Sequence, residues 1–409
     1  MDRRARFRAY MKDLDPTGDP LEAVEKGFYV PAPTGVGARI ATRLELQPDS
    51  SHLLVGGVGS GKTTELIRIR KALEEVEDIA VVRVDVPSVH RADKLRPGVL
   101  LALAALEALR LVEDLELDGG QAKVRKRARQ VIRRHARGAW VDGHYEYDPH
   151  DDDDPGEWVA GVLEEPETDG RVSELAEALS SLSPLSPKRQ VMLFDGLDRV
   201  VDLARFSEML RQDLPALKDV GVGAVVVGPQ TLRFSASASV LSWFTQVHLH
   251  GAADWESEAG RAFLKSVLRQ RVAAELLPDD AIDAVMASSG GLLRDVIAAA
   301  RMAGEEAYAD GSDTVGVEHV AVAAERLGRS LLLGISQRDV KRLRELAPTE
   351  RRVRRAGALK RSYPPFTPAT DDDIALLMQR LVIEIPTAPP SYRLHPAVLP
   401  LLPGLRRSA

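Results

Sequence analysis

The 409-residue chain contains no cysteine, which excludes disulfides, thiolate zinc sites and a cysteine nucleophile. No run approaches the ~18 apolar residues of a membrane span. The first residues, Met1-Asp2-Arg3-Arg4-Ala5-Arg6, lack the apolar core of a signal peptide, so the expected compartment is the cytoplasm. Positive charge is not in excess either. Lys and Arg number 55 against 61 Asp and Glu, a formal net charge of −6, which argues against a protein that coats nucleic acid over its whole surface. What is present, 44% hydrophobic and 28% charged residues, is the makeup of an ordinary globular protein. Its length predicts about two to three domains.

One stretch organises the rest. Gly56-Gly57-Val58-Gly59-Ser60-Gly61-Lys62-Thr63 fits the phosphate-binding pattern Gly-x-x-x-x-Gly-Lys-Ser/Thr. Its glycines let successive backbone N–H groups turn inward around phosphates, its lysine bridges the β- and γ-phosphates, and its threonine hydroxyl ligates Mg²⁺. Thr64 completes the candidate phosphate-binding set. Ser51 to Val55 reads as a short buried strand, and Thr64 to Glu75 carries Leu66, Ile67, Ile69 and Leu73 at helical spacing, so the loop lies between strand and helix as phosphate binding requires. The pattern predicts ATP or ADP with Mg²⁺ as ligands.

Residues 1 to 24 are polar and expected to be peripheral. In Gly27-Phe28-Tyr29-Val30-Pro31-Ala32-Pro33, Tyr29 or Val30 is the candidate for packing on an adenine, with a hydrophobic staple for the helix from Gly37 to Leu46 as the competing reading. A second strand runs from Ala80 to Val86. About a hundred residues then precede the next strand, more than one crossover needs, so an insertion is expected over about 113–170. Pro97 to Val112 reads as a buried helix. Lys123 to Arg137 holds eight Lys or Arg and no acid, with Val124, Ala128, Val131 and Ile132 on one stripe. This is either a phosphate or partner contact or a solvated helix. Asp142, Glu146, Asp148, Asp151 to Asp154 and Glu157 follow as an acidic tract that lacks the ligand alternation of a calcium loop and reads as a mobile insertion.

Gln190-Val191-Met192-Leu193-Phe194-Asp195 is an apolar strand ending in a carboxylate, the pattern in which the aspartate holds Mg²⁺. Gly196 follows where many P-loop ATPases place a water-orienting glutamate. Asp198 is the nearest carboxylate to take its place, with a shorter reach, so hydrolysis is expected to be slow. A further strand, Gly223 to Val227, leads to Gln230, a candidate γ-phosphate sensor or a plain turn residue, and Thr245 to His250 supplies a fifth. Short apolar strands alternating with helices imply an α/β, doubly wound parallel sheet with nucleotide at the strands' carboxyl ends. From Trp255 the pattern is helical, over 257–273, 278–287, 292–309 and 317–327. Gly290 and Gly291 allow a tight turn before Arg294 in the first turn of the third helix. A cation is disfavoured there by the helix dipole, so Arg294 has either a phosphate partner or an acid such as Asp295 or Glu258. Residues 331–402 read as three helices (to Leu346, near Arg352 to Lys360, and Thr370 to Leu381) and two strands (Val382 to Ile385, Tyr392 to Leu394), the order of a winged helix.

Together these pieces resemble the AAA+ and STAND branch of P-loop ATPases over about residues 25 to 405, and in particular origin-recognition-like AAA+ proteins with a C-terminal winged helix. The resemblance implies a P-loop core over 25–252, an all-α helical lid over 253–330 and a winged-helix domain over 331–409, after an N-terminal segment of 24 residues. Gly290-Gly291-Leu292-Leu293-Arg294 resembles the sensor-2 motif, which makes Arg294 the arginine reaching the γ-phosphate. Asp195-Gly196-Leu197-Asp198 resembles the corresponding strand end of NACHT-type switches. Leu394-His395-Pro396-Ala397-Val398 resembles the winged-helix histidine motif of NB-ARC switches, with Pro396 where that family has aspartate, so His395 is either a nucleotide contact or a packed structural histidine. Arg205, Arg211 and Arg233 are candidates for an arginine finger. The chain ends just past the winged helix without the long repeats of STAND proteins, so an effector would be another polypeptide, a second copy or the insertion.

Two functions fit. The first is a nucleotide-dependent switch with slow Mg²⁺-dependent hydrolysis. The second is a DNA-associated ATPase contacting the backbone through residues 123–137 and the ten Lys or Arg between Arg338 and Arg361. Against sequence-specific reading, the third winged-helix helix opens with Asp371-Asp372-Asp373, which would repel phosphates. A small-molecule kinase lacks any second substrate site in the pattern, and no membrane contact is expected.

Overall fold

Strands form where branched and leucine residues run together, and five such runs make one sheet in this computed structural model, which describes residues 2–135, 170–352 and 359–403. The chain opens with α1 (Arg3–Asp13), α2 (Pro20–Glu25) and α3 (Val36–Leu46), then β1 (Ser51–Val55) and α4 (Lys62–Glu74). There follow β2 (Ile79–Asp85), α5 (Val86–Val89), α6 (Val99–Leu111), α7 (Gly119–His135) and α8 (Arg171–Leu182). Next come β3 (Arg189–Asp195), α9 (Leu203–Asp219), β4 (Gly223–Gly228) and β5 (Gln246–Leu249), then helices α10 (Glu258–Arg269), α11 (Asp279–Ser289), α12 (Leu293–Ala309) and α13 (Val317–Leu331). The chain closes with α14 (Gln337–Glu345), β6 (Thr349–Arg352), β7 (Leu359–Ser362), α15 (Asp371–Met378), β8 (Val382–Ile385) and β9 (Ser391–Leu394). It divides into two units, residues 37–55 with 65–248 and residues 1–36 with 56–64 and 249–409.

The first unit is built on the sheet, in strand order β2-β3-β4-β1-β5. Strands β2, β3, β4 and β1 pair in parallel, with Asp85 opposite Asp195 and Val55 opposite Gly228. All five residues of β1 and all six of β4 are buried, as expected of a sheet covered by helices on both faces. This is the P-loop α/β architecture expected from the sequence. Helix α6 is apolar almost all round, and residues 99–105 are buried without interruption. Its first turn is held by Asp213 of α9, whose carboxylate accepts from Gly98 N (2.6 Å) and Leu100 N (2.8 Å). Burial pushes that carboxyl up to about 7 against these hydrogen bonds.

In α7, Ala128 and Ile132 are buried, while Lys123, Lys126, Arg127, Arg133 and Arg134 are exposed. Arg125 donates to the carbonyls of Val112 and Glu113, and Arg129 to the Glu113 carboxylate. Ala136 and Arg137, and the acidic tract from Asp142 to Glu157, lie outside the described residues.

The second unit joins the helices α10–α13 to both chain ends. The N-terminal segment is not peripheral. Tyr10 is 3% exposed and its hydroxyl donates to Ala300 O of α12 at 2.6 Å. Arg3 donates to Ala307 O and Tyr308 O and lies over the Tyr308 ring, a cation placed on the negative end of α12. Near the C-terminus, Arg352, Leu359 and Lys360 of the helix expected over Arg352 to Lys360 lie instead in the antiparallel pair β6–β7, with Thr349 opposite Ser362, and residues 353–358 lie outside the described residues. The helices α14 and α15 and the hairpin β8–β9 of the winged-helix arrangement are present, with Val382 opposite Leu394. Asp371, Asp372 and Asp373 occupy the first turn of α15, where acids favour the helix, and Asp372 and Asp373 pair with Arg338 and Arg342 of α14.

Among the described residues no helix is long and apolar enough to cross a membrane.

Candidate functional site

The phosphate loop lies between β1 and α4, as the motif requires. Gly59 (φ +86°) lets the lid approach, since a Cβ there would come 2.6 Å from Arg294 Cβ. Arg294 N donates to Gly59 O at 3.1 Å. The first turn of α12 is thus fixed on the phosphate loop, and the aliphatic part of Arg294 lies against it. Lys62 is 5% exposed, and its ammonium donates to Gly56 O (2.9 Å) and Gly57 O (3.0 Å). The lysine is held at the mouth of its own loop, a cradle that fits a polyphosphate.

Beside the loop is a cavity of about 290 Å³. Pro33, Ala252, Phe263, Leu293, Ile385 and Pro386 supply apolar walls, and Thr34, Ser60 and His250 also line it. The polar atoms Thr34 Oγ1, Ser60 Oγ and His250 Nδ1 are all buried without a hydrogen-bond partner. An apolar cavity with a few convergent polar groups is the usual form of a small-molecule site. Tyr29 and Val30 are not among its lining residues; the chain supplies Ala32, Pro33 and Thr34 instead. The wing hairpin enters the wall because Ala252 N donates to Glu384 O (3.1 Å) and Arg393 pairs with Asp254 at 2.7 Å. Nothing in the sequence signalled that contribution.

His395 is fully buried but lines no part of the cavity. Its Nδ1 accepts from Ala397 N at 3.2 Å, and its Nε2 faces Asp295 Oδ2 at 3.4 Å. Asp295, the neighbour of Arg294, also pairs with Arg380. The structural reading of His395 is the one its surroundings match.

In the sheet unit, Asp195 stands at the end of β3, 3% exposed. Arg83 Nη2 and Nε donate to its Oδ2 at 2.8 and 3.1 Å, and Gly196 N donates to Oδ1 at 2.9 Å. Gly196 has φ +80°, and a Cβ there would come 2.5 Å from Pro87 Cδ. The backbone therefore excludes a glutamate directly after Asp195. Asp198 lies in the short turn Leu197–Arg199 and is half-buried. Opposite Asp195, Asp85 has its carboxyl pushed up by burial and by the Asp195 charge, against the pull of Arg83 and Arg199. Arg83 and Asp85 were missed from sequence; a cation inside an apolar strand that ends in an acid was the signal available.

Gln230 is buried just past β4. Of the candidate fingers, Arg205 binds Asp93 O and Asp202, Arg211 pairs with Glu208, and Arg233 lies over the Phe234 ring. All three have local partners.

Three buried histidines set a pH dependence. His52 and His248 are in hydrogen-bond contact (3.2 Å), with Ser50 Oγ on the other His52 nitrogen. Burial is the main cause lowering His52, His248 and His250 each to about 4. A folded-state pKa below the unfolded value of about 6.5 means stability that is complete above pH 6.5 and lost as pH falls towards 4. Asp213, raised to about 7, works the other way over the same interval. Three histidines against Asp213, with the raised Asp85 also opposing them, leave a net loss of about 1–3 kcal/mol per pH unit on acidification. Thermal midpoints measured from pH 7 to 4.5 should fall steadily; a flat or rising series contradicts this assignment.

Sequence comparison gives no matching family model and no matching curated protein. Similar solved structures include the Orc1 protein of Aeropyrum pernix in complex with DNA, at 15% identity over 91% of this chain and 92% of that one, TM-score 0.43. Drosophila ORC bound to DNA is 12% identical over 83% of this chain and 72% of that one, TM-score 0.44. Cdc6p from Pyrobaculum aerophilum is 11% identical over 96% and 97%, TM-score 0.42.

Proposed function

We propose that the chain is an ATP-binding, AAA+/STAND-like switch with slow hydrolysis of ATP to ADP and phosphate. The observation that carries this is the lid helix α12 seated on the phosphate loop through Arg294 and Gly59, beside a cavity with three unpaired polar atoms. The backbone N–H groups of residues 56–64 and Lys62 hold the phosphates, and the cavity takes the base. Arg294 reads the γ-phosphate, so ATP and ADP differ in their contacts with the lid, the differential affinity any switch requires. Thr63 and, through water, Asp195 hold Mg²⁺, which neutralises charge on the phosphates. Gln230 is the sensor from β4, and Asp198 orients the attacking water over a longer path than a glutamate after Asp195 would use. The wing of the winged helix forms part of the base pocket, so nucleotide occupancy changes what that domain presents to a protein effector or a second copy in the cytoplasm.

A second reading, a DNA-associated ATPase, is favoured by the exposed Lys123, Lys126, Arg127 and Arg133 on one helix, which suit phosphate-backbone contact. ATP binding and turnover of the purified protein, with and without duplex DNA, separate the two. Tight binding with turnover below about one per minute, indifferent to DNA and lost in Lys62→Ala, is expected. Turnover stimulated by DNA would replace the switch with the DNA-associated reading, and absence of nucleotide binding would end both.

A further inference from the structure

We propose that the groove between α1 and α12 docks an acidic amphipathic helix of a protein partner. The groove has a volume of about 490 Å³. Phe7 and Met11 of α1 and Tyr308 of α12 form its apolar floor and wall, and Arg4 and Arg8 stand on the α1 rim. The groove lies beside the face through which α1 packs. Gly304 of α12 admits Tyr10, since a Cβ there would come 2.2 Å from Tyr10 Cε1. The Phe7 and Tyr308 rings lie 5.3 Å apart, centre to centre, and Arg3 covers part of the Tyr308 ring. Tyr308 is still 38% exposed.

Charge identifies the occupant. Helix α1, RRARFRAYMKD, carries five cations and one acid on a chain whose acids outnumber its bases. Arg3 and Arg6 are occupied by Asp313. Arg4 and Arg8 are exposed, one helical turn apart, and have no ion pair or hydrogen bond among the described residues. Like charges at that spacing repel, and an acid placed between them turns the repulsion into attraction. Glu305 on the opposite rim pairs with Arg326, so the two arginines set the sign of the groove. Arginine beside methionine and an exposed aromatic is the makeup of protein interfaces. A partner helix would seat apolar residues spaced three and four apart on the floor and meet Arg4 and Arg8 with acids on its flank. DNA phosphates would gain nothing from that apolar floor. A membrane needs apolar side chains that protrude, whereas Phe7 is 3% exposed.

The probe is a fluorescent peptide of about 16 residues, with leucines at helical spacing and glutamates along one flank. Two control peptides replace every glutamate by lysine or every leucine by serine. By fluorescence anisotropy the wild-type protein should bind the probe about tenfold or more tightly than either control. Arg4→Glu combined with Arg8→Glu changes exposed side chains only, and should reverse the preference in favour of the lysine peptide. Met11→Gln should weaken the probe about threefold or more without reversing that preference. Equal binding of the probe and the serine peptide by the wild type would reduce the groove to charge attraction and overturn the proposal. A preference unchanged in the arginine double variant would place the peptide elsewhere and overturn it equally. Binding of phosphatidylserine–phosphatidylcholine vesicles or duplex DNA, lost in the double variant while the probe does not bind, would replace the protein partner by a membrane or a nucleic acid. The assay contains no nucleotide, so each of these outcomes leaves the nucleotide-binding reading standing.

Discussion

Asp295→Ala should cost about 3 kcal/mol of stability in the unit that holds α12 and the winged helix, read as a drop of several degrees in its unfolding midpoint. The carboxylate is 1% exposed and pairs with the Arg380 guanidinium, while His395 Nε2 lies 3.4 Å from its Oδ2 without a hydrogen bond. Removing it leaves the guanidinium without its counter-charge. Breaking a buried pair on one side costs about 3–5 kcal/mol. The Arg380 side chain is 25% exposed and can turn partly to water, which places this case at the lower end.

The backbone of Arg380 sharpens the expectation. It adopts φ +61° just beyond α15, where its N–H bonds Leu377 O and that of Leu381 bonds Leu376 O. Glycine is the usual residue at this position of a helix end, and a side chain in the left-handed region costs about 1 kcal/mol. That cost is tolerated because the conformation carries the guanidinium to Asp295. Arg380→Gly should therefore destabilise less than Asp295→Ala, since relief of strain offsets part of the lost pair. The double variant should cost less than the sum of the two. Calorimetry of the three proteins decides it: a single-variant change under about 0.5 kcal/mol, or strict additivity, means the pair does not hold the wing to the lid.

The parts of this molecule legible in sequence are those where local pattern and tertiary role coincide. The strands β1, β3 and β4 are buried on both faces and carry the apolar runs Leu53 to Val55, Val191 to Phe194 and Ala224 to Val227, and the phosphate loop is contiguous in sequence. Helix α1 was illegible because RRARFRAYMKD has no apolar stripe beyond Phe7 and Tyr10; two aromatics three residues apart dock it. The strand pair β6–β7 hid behind Arg and Lys, residues that suit a helix in isolation. The cavity was the least legible part, since residues 32–34, 250–254 and 385–387 meet only through tertiary contact. Tyr29 and Val30 were candidates for base packing because their segment precedes the first strand, and the cavity is lined by the residues that follow, Ala32 to Thr34. His250 carried no signal beyond its place at a strand end.

Gly196→Glu tests whether the missing glutamate is a choice of residue or of backbone, and the expected result is loss of stability with no gain in hydrolysis. In an ordinary P-loop ATPase this substitution would restore the group that orients water. Here the glycine sits at φ +80°, and the new Cβ would be 2.5 Å from Pro87 Cδ, 2.7 Å from Pro87 Cγ and 3.0 Å from Asp85 Oδ1. The left-handed conformation costs about 1–2 kcal/mol for any side chain, and crowding a packed proline adds about 1–3 kcal/mol. A third carboxylate beside Asp85 and Asp195 adds like-charge repulsion, which should push Asp85 further up. The variant should melt several degrees lower and turn ATP over no faster than the wild type. Gly196→Ala separates the causes, because it meets the same Cβ clash without the charge and should lose most of the same stability. A glutamate variant of unchanged midpoint and faster turnover would show that β3 and Pro87 yield readily, and slow hydrolysis would then be a matter of one side chain rather than of the strand's end geometry.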